Sequence, residues 1–301
     1  MFTPSHLQIE TVNKFCNSKC TMCIIHENTR PCGIMSLELF KRIIDRLFPY
    51  KKYFKYLTLH GCGEPLLDKT IAEKVRYAKD REFKGIGFST NCQALSEEIS
   101  KKLLLSGLDT LIASIDGYSK KVQESIRVGT DFDTILRNVQ GYIRLRDQFS
   151  IKGRILIRFI RQKTNYDEWP MFKKFWNTYI DNSKGDDVIK FDIHNCGARI
   201  AEYENMKVIQ TKVIEPCCDL FERLIIFTSG DFGFCSADQS GFFKLGNALE
   251  NDPIEVFNND IFSEYRKQML NNKINLLEHC GQCSLPLSRH FKDKPVEQTQ
   301  K

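Results

Sequence analysis

"HLQIETVNKFCNSKCTMC", residues 6–23, decides the fold. Residues 6–12 alternate and are β-branched enough to read as a strand. The strand runs straight into three cysteines, Cys16, Cys20 and Cys23, in a Cys-x3-Cys-x2-Cys spacing. A closed tetrahedral metal site or a fully ligated iron–sulfur cube takes four protein ligands. Three thiolates predict a metal site left open for something else, or one whose fourth ligand lies far away.

Outward from this stretch, short apolar runs alternate with helical patterns. "SLELFKRIIDRLF" (36–48) predicts a helix capped by Ser36, with Leu39, Ile43, Ile44 and Leu47 as its apolar stripe. "KYLTLH" (55–60), "GIGFST" (85–90), "TLIASI" (110–115), "RILIRFI" (154–160) and "VIKFDIH" (188–194) predict strands. Helical patterns lie between them, at 68–80, 96–107, 119–127, 131–149 and 166–180. Strands alternating with helices predict right-handed βαβ units and a parallel sheet. The fold class is therefore α/β, an open, partial (β/α)6 TIM-like barrel over 1–200. In such a barrel functional residues gather at the C-terminal ends of the strands. The cysteine loop, "GCGEP", "STNC", "SIDG" and "HNCG" all fall there.

From Glu215 the pattern changes. "PCCDLFERLIIFTSGDFGFCSADQS" predicts a hairpin around Ser229–Gly233 with a cysteine at each end. Residues 252–270 predict one helix, and a Cys-x2-Cys pair follows at Cys280 and Cys283. This second unit, 201–290, is a small hairpin-plus-helix domain. Residues 291–301 predict a flexible polar tail.

The composition, 42% hydrophobic and 27% charged over 301 residues, is that of a globular protein. Without an eighteen-residue apolar run or a signal-peptide pattern, the expectation is a cytoplasmic chain with no membrane partner. Net charge is +6, from 44 basic and 38 acidic residues, with no long basic run, so nucleic acid is not an expected partner. Twelve cysteines in a reducing compartment point to metal or redox chemistry rather than disulfides.

Together these motifs resemble the radical S-adenosylmethionine (SAM) family over roughly residues 7–284. The resemblance implies a 4Fe–4S cluster on Cys16, Cys20 and Cys23, with its open iron taken by SAM. Met22 stands where the family usually has an aromatic residue whose backbone meets the adenine. The family's Gly-Gly-Glu-Pro loop, which binds the SAM amino group, appears as Gly61-Cys62-Gly63-Glu64-Pro65. Asn91 would line the site, Ser114 and Asp116 would approach the SAM ribose or carboxylate, and Arg127 would pair with that carboxylate. The C-terminal third resembles the auxiliary-cluster region called SPASM or, in its shorter form, twitch. It implies a second 4Fe–4S cluster on Cys217, Cys235, Cys280 and Cys283. No cysteine follows Cys283, which selects the twitch form, with spacing similar to that of a radical SAM alcohol oxidase. Four thiolates would equally suit a structural zinc site. Cys32, Cys62, Cys92 and Cys218 are expected to be packed or incidental thiols.

Two residues remain as catalytic candidates. Cys196 of "HNCG" is either a pocket wall or a hydrogen donor, with His194 a hydrogen-bonded strand-end residue. Seven basic residues lie between Arg144 and Lys163. Of these, Arg158 or Arg161 either belongs to the strand ends or meets the SAM carboxylate or an anionic substrate inside the barrel. The resemblance implies an oxidoreductase. A flavodoxin- or ferredoxin-type reductant starts SAM cleavage, a 5′-deoxyadenosyl radical takes hydrogen from a small alcohol or sugar-like substrate, and the auxiliary cluster accepts an electron. The alternatives are a maturase or epimerase acting on a ribosomal peptide, and a non-enzymatic metal-binding scaffold. The first strand begins near residue 6, leaving no room for a leader-binding domain, which favours the small substrate.

Overall fold

The computed structural model describes residues 1–208 and 216–284. Its centre is one eight-stranded sheet. The first six strands in chain order are β1 (His6–Ile9), β2 (Tyr56–Thr58), β3 (Ile86–Thr90), β4 (Thr110–Ser114), β5 (Arg154–Arg161) and β6 (Asp187–Asp192). They lie side by side in that order, all parallel. Two more strands come from the C-terminal third. β7 (Arg223–Ile226) runs parallel to the free side of β1, and β8 (Phe232–Gly233) turns back antiparallel on β7. The predicted hairpin is therefore a continuation of the barrel sheet.

Each strand segregates its side chains by the two-residue period. Leu7, Ile9, Leu57, Phe88, Leu111, Ala113, Ile155, Ile157 and Phe159 are fully buried beneath the helices. The opposite face is polar, and its pairs cross between strands: His6 with Thr58 at 2.9 Å, Arg154 with Thr110 at 3.0 Å, Arg158 with Ser114 at 2.7 Å, and Arg223 with Gln8 at 2.7 Å. His60, just past β2, senses the charges of Arg158 on β5 and of Arg223 on β7 together. That polar face is thus the concave interior of an open barrel.

The helices covering the apolar face are α1 (Leu37–Leu47), α2 (Ile71–Asp80), α3 (Glu97–Ser106), α4 (Lys120–Ile126), α5 (Phe132–Gln148) and α6 (Trp169–Trp176). Side chains of Ser36, Ser96, Ser119 and Asp131 cap α1, α3, α4 and α5. Phe40 rather than Leu39 completes the buried stripe of α1. Pro170 sits in the first turn of α6, where a missing N–H costs nothing.

One predicted helix is two. Residues 252–270 form Pro253–Phe257 and α7 (Asp260–Leu270), broken at Asn258–Asn259. The Asn259 side chain accepts from Phe262 N at 3.0 Å and so starts a new helix. The basic run is also less free than its sequence suggests. Arg146 is fully buried against Asp186, and Arg161 pairs with Asp192. The predicted tail at 291–301 lies outside the described residues.

Candidate functional site

The cysteine loop is cinched at its base. Val12–Asn13 pairs antiparallel with Gly33–Ile34, which closes the loop between them. Within it, Lys19–Cys20 pairs with Arg127–Val128, tying the loop to the end of α4. Ser18 Oγ lies 3.4 Å from both Cys16 Sγ and Cys20 Sγ. Asn91 donates to Asn17 Oδ1 at 2.7 Å and reaches Cys16 Sγ at 3.9 Å. Arg127 Nη1 stands 3.7 Å from Cys20 Sγ. Cys23 reaches the surface, yet desolvation of its sulfur, with Cys62, Cys20 and Cys16 adding to it, pushes its thiol up to about 12. The three predicted ligands therefore face one another at the mouth of the barrel. Met22, half-exposed, lies between the last two.

The "GCGEP" loop packs directly beneath. Lys14 N donates to Cys62 O at 2.7 Å and Glu64 N to Phe15 O at 2.8 Å, so the two loops share backbone hydrogen bonds. Both glycines are required by crowding. A Cβ on Gly63 would stand 2.6 Å from Val12 O, and one on Gly61 2.4 Å from Glu10 Cγ. Glu64 is buried, and its carboxylate accepts from Leu66 N (3.0 Å), Thr90 Oγ1 (2.7 Å) and Asn91 N (2.8 Å). Burial raises its pKa despite those donors. The side chain holds the loop and Asn91.

Asp116 is likewise occupied. One oxygen accepts from Ile160 N at 2.6 Å and the other faces Arg127 at 2.7 Å, with the side chain fully buried. It holds Arg127 beside Cys20 rather than projecting into the mouth. Ser114 accepts from Arg158 Nη2 at 2.7 Å. Arg158 does point into the barrel; desolvation, then the nearby Arg127, lower its pKa to about 10. His60 accepts from Ser89 N at Nδ1 (3.4 Å), which leaves Nε2 carrying the proton. Ser89 Oγ, Arg127 Nε and Arg158 Nε are buried without a hydrogen-bond partner. Buried polar groups without partners are costly, so these mark where a polar, carboxylate-bearing ligand fits. An open three-thiol site beside such donors suits a 4Fe–4S cluster with SAM.

The second cysteine set converges as well. Cys217, Cys235, Cys280 and Cys283 line one cavity of about 270 Å³. Its walls are aromatic: Phe234 packs on Phe243 at 4.5 Å and on Tyr265 at 4.9 Å, and Phe242 stacks on His279 at 4.5 Å. Burial, then Asp219, Cys217, Asp238 and Cys280, raises the Cys235 thiol well above its ordinary value. Four thiols around one cavity suit either a 4Fe–4S cube or a single zinc.

Cys196 lies between the two sets: Cys283, Cys23 and Cys62 all act on its thiol, which burial raises above the ordinary value. Its Sγ stands 3.2 Å from His194 Nδ1. The backbone turns there through positive φ at Cys196, Gly197 and Ala198.

Three functional positions escaped the sequence reading. Glu10, 1% exposed, takes a bidentate pair from Arg30 (2.6 and 2.7 Å) and also accepts from Cys62 N at 3.0 Å. Arg30 donates to Gln239 O at 2.7 Å and lies 3.8 Å over the Phe227 ring. The pair thus joins the cysteine loop, the "GCGEP" loop and the C-terminal hairpin. Asn195 clamps the last barrel loop to the Cys-x2-Cys turn, bonding Ser284 N and Oγ at 2.9 and 2.8 Å and Gln282 O at 2.7 Å. The available signals were an acid at a strand end and an asparagine beside a cysteine, and neither names its distant partner.

Among the described residues no helix is long and apolar enough to cross a membrane. The family model described as the radical SAM superfamily matches residues 11–155. The tungsten-containing aldehyde ferredoxin oxidoreductase cofactor-modifying protein of Pyrococcus furiosus is 26% identical over 172 residues, 56% of this chain and 47% of that protein. Mycofactocin maturase MftC of Mycobacterium tuberculosis is 30% identical over 126 residues, 42% of this chain and 31% of that one. The chain thus spans less than half the length of these relatives. Among solved structures, BtrN in complex with AdoMet and 2-DOIA superposes with a TM-score of 0.63 at 18% identity, over 93% of this chain and 92% of that one. SuiB of Streptococcus suis, bound to precursor peptide SuiA, gives 0.66 at 15%, over 88% and 67%. These two likenesses speak for the fold. With the motif, the barrel and the family match in agreement, the chain carries a domain of the radical SAM superfamily.

Proposed function

We propose that this chain is a radical SAM oxidoreductase that removes hydrogen from a small alcohol or sugar-like substrate, with residues 201–290 as its auxiliary-cluster region. The observation that carries the reading is the convergence of Cys217, Cys235, Cys280 and Cys283 on one cavity, joined by Asn195 to the loop that ends the barrel. When bound, a cluster on Cys16, Cys20 and Cys23 together with SAM supplies a 5′-deoxyadenosyl radical, and a second cluster supplies an electron sink. The chain's own residues then do the positioning. Ser18, Asn91 and Arg127 hold the thiol loop, and Glu64 and Asp116 hold Asn91 and Arg127 in turn. Arg158, Ser114 and the His60 Nε2–H present donors inside the barrel for carboxylate and hydroxyl groups of the ligands. BtrN, a neighbour in fold solved with AdoMet and 2-DOIA, is what suggests a small substrate. An outside reductant of the flavodoxin or ferredoxin type fits the surface-reaching Cys23.

A second reading, peptide maturation or epimerisation, rests on Cys196. Its protonated thiol at the barrel rim is suited to returning hydrogen to a carbon radical, and the partial likeness to a mycofactocin maturase agrees with it. Turnover of 2-DOIA and of a synthetic peptide in deuterated buffer separates the two. Oxidised product without solvent deuterium at the reacting carbon supports the oxidoreductase. Redox-neutral product carrying deuterium there overturns it and selects the thiol donor.

A further inference from the structure

The loop after β6 has two sides. Cys196 is outside the lining of the four-cysteine cavity, its Sγ 3.2 Å from His194 Nδ1, while Arg199, three residues on, lines that cavity. Its guanidinium lies 4.2 Å over the Phe242 ring, and its Nη2 is 3.8 Å from Asp238 Oδ1, too far for a normal hydrogen bond. Arg199 Nη1 is buried with no hydrogen-bond partner, and so is Asp238 Oδ2. Arg199 N is fixed by Asn195 O at 2.9 Å, and Asn195 in turn clamps the Cys280–Cys283 turn. Asp238 N is held by Cys235 O at 3.0 Å. A cation and an anion, each incompletely paired, are therefore both held at the wall of the same cavity.

A buried charge with an unused donor needs a compensating group, and a four-thiolate cluster is an anion that gains another negative charge on reduction. We infer that Arg199 is the positioning residue that sets the redox balance of the auxiliary site, favouring its reduced form, while Asp238 opposes it. The inference rests on the auxiliary-cluster reading above and deepens it: the loop that closes the substrate end of the barrel also carries the charge that makes the cavity an electron acceptor. In a low-dielectric, aromatic-walled cavity such a charge acts with little screening.

The test is a redox titration, followed by electron paramagnetic resonance, of the anaerobically reconstituted full chain and its Arg199→Gln, Arg199→Lys and Asp238→Asn variants. The signal that does not respond to added SAM reports the auxiliary site. Arg199→Gln should make its reduction about tenfold less favourable, which is 59 mV for a one-electron couple. Arg199→Lys, which keeps the charge, should stay within about threefold of wild type. Asp238→Asn should move the balance the other way, and it serves if Arg199→Gln does not fold. Iron content should be equal in all four. Eight irons with an unmoved balance in Arg199→Gln, or a Lys variant that falls as far as Gln, overturns the charge role alone. A wild type with four irons and no SAM-insensitive signal overturns the auxiliary-cluster reading itself, and this inference with it.

Discussion

The two cysteine regions are built to opposite plans. The N-terminal three sit in a polar loop where Cys16 and Cys20 share Ser18, where the last thiol reaches solvent, and whose surroundings carry unpartnered donors. The C-terminal four line a cavity walled by Phe234, Phe242, Phe243 and His279, with Cys235 strongly desolvated. An open polar site suits ligand exchange, while a closed aromatic one suits holding charge without exchanging ligands. Cys196 and the loop that Asn195 clamps lie between them. Under the proposed two-cluster reading, the comparison teaches that a division of labour is read from what surrounds the sulfurs, not from their number.

The largest effect should come from taking each region away. Replacing Cys16, Cys20 and Cys23 by alanine should reduce 5′-deoxyadenosine release in dithionite to background. Cys235→Ala should keep that release and stop formation of oxidised product. If Cys235→Ala retains full turnover, the second region has no part in the chemistry and the contrast fails.

Next in size is the strut that joins the regions. Arg30→Leu leaves Glu10 buried without its partner, which costs about 3–5 kcal/mol. Because Arg30 also holds Gln239 and Phe227, iron bound in both regions should fall together. Denaturant unfolding and separate EPR signals check this. Loss confined to the N-terminal signal would show the regions to be independent.

Gly63→Ala is smaller and local. Its Cβ would meet the backbone of Val12, and overpacking of this kind costs about 1–3 kcal/mol. SAM binding, measured by calorimetry on the reconstituted protein, should weaken while the C-terminal signal is unchanged. Gly197→Ala has no such contact closer than 3.6 Å to His279 O, but it forces a side chain onto positive φ. It should disturb the C-terminal region and leave SAM binding alone.

Much of this was legible in the sequence, for reasons that mark the limits. Strand and helix periods over residues 36–160 are local, and so are the spacing of Cys16, Cys20 and Cys23 and the caps at Ser36 and Ser96. β7 was not legible as a sheet member, because its partner β1 lies 217 positions earlier in register, His6 against Arg223. The protein partners of Glu64 and Asp116 were hidden for the same reason. Both were expected as ligand contacts, and both also meet long-range groups, Thr90, Asn91, Ile160 and Arg127, that no local pattern announces. The break at Asn258–Asn259 was in plain view, since asparagine is a strong helix cap.

The smallest effect is a pH dependence of the barrel interior. Burial, then Arg158, Arg223 and His6, hold His60 well below the ordinary histidine value of 6.5. A depressed folded value means the unfolded chain binds the extra proton first. Stability should therefore be complete above about pH 6.5 and fall as the pH drops below it, by at most about 1.4 kcal/mol per pH unit. His60→Gln should flatten that slope in thermal unfolding of the metal-free chain. An equal slope in the variant assigns it to another group.

The central claim is that one chain holds two different clusters, one open and one closed. Iron and acid-labile sulfide counted after anaerobic reconstitution test it most directly. The account predicts about eight irons in the wild type and about four in the Cys16, Cys20 and Cys23 alanine variant. Four irons in the wild type, with or without one zinc, would contradict it.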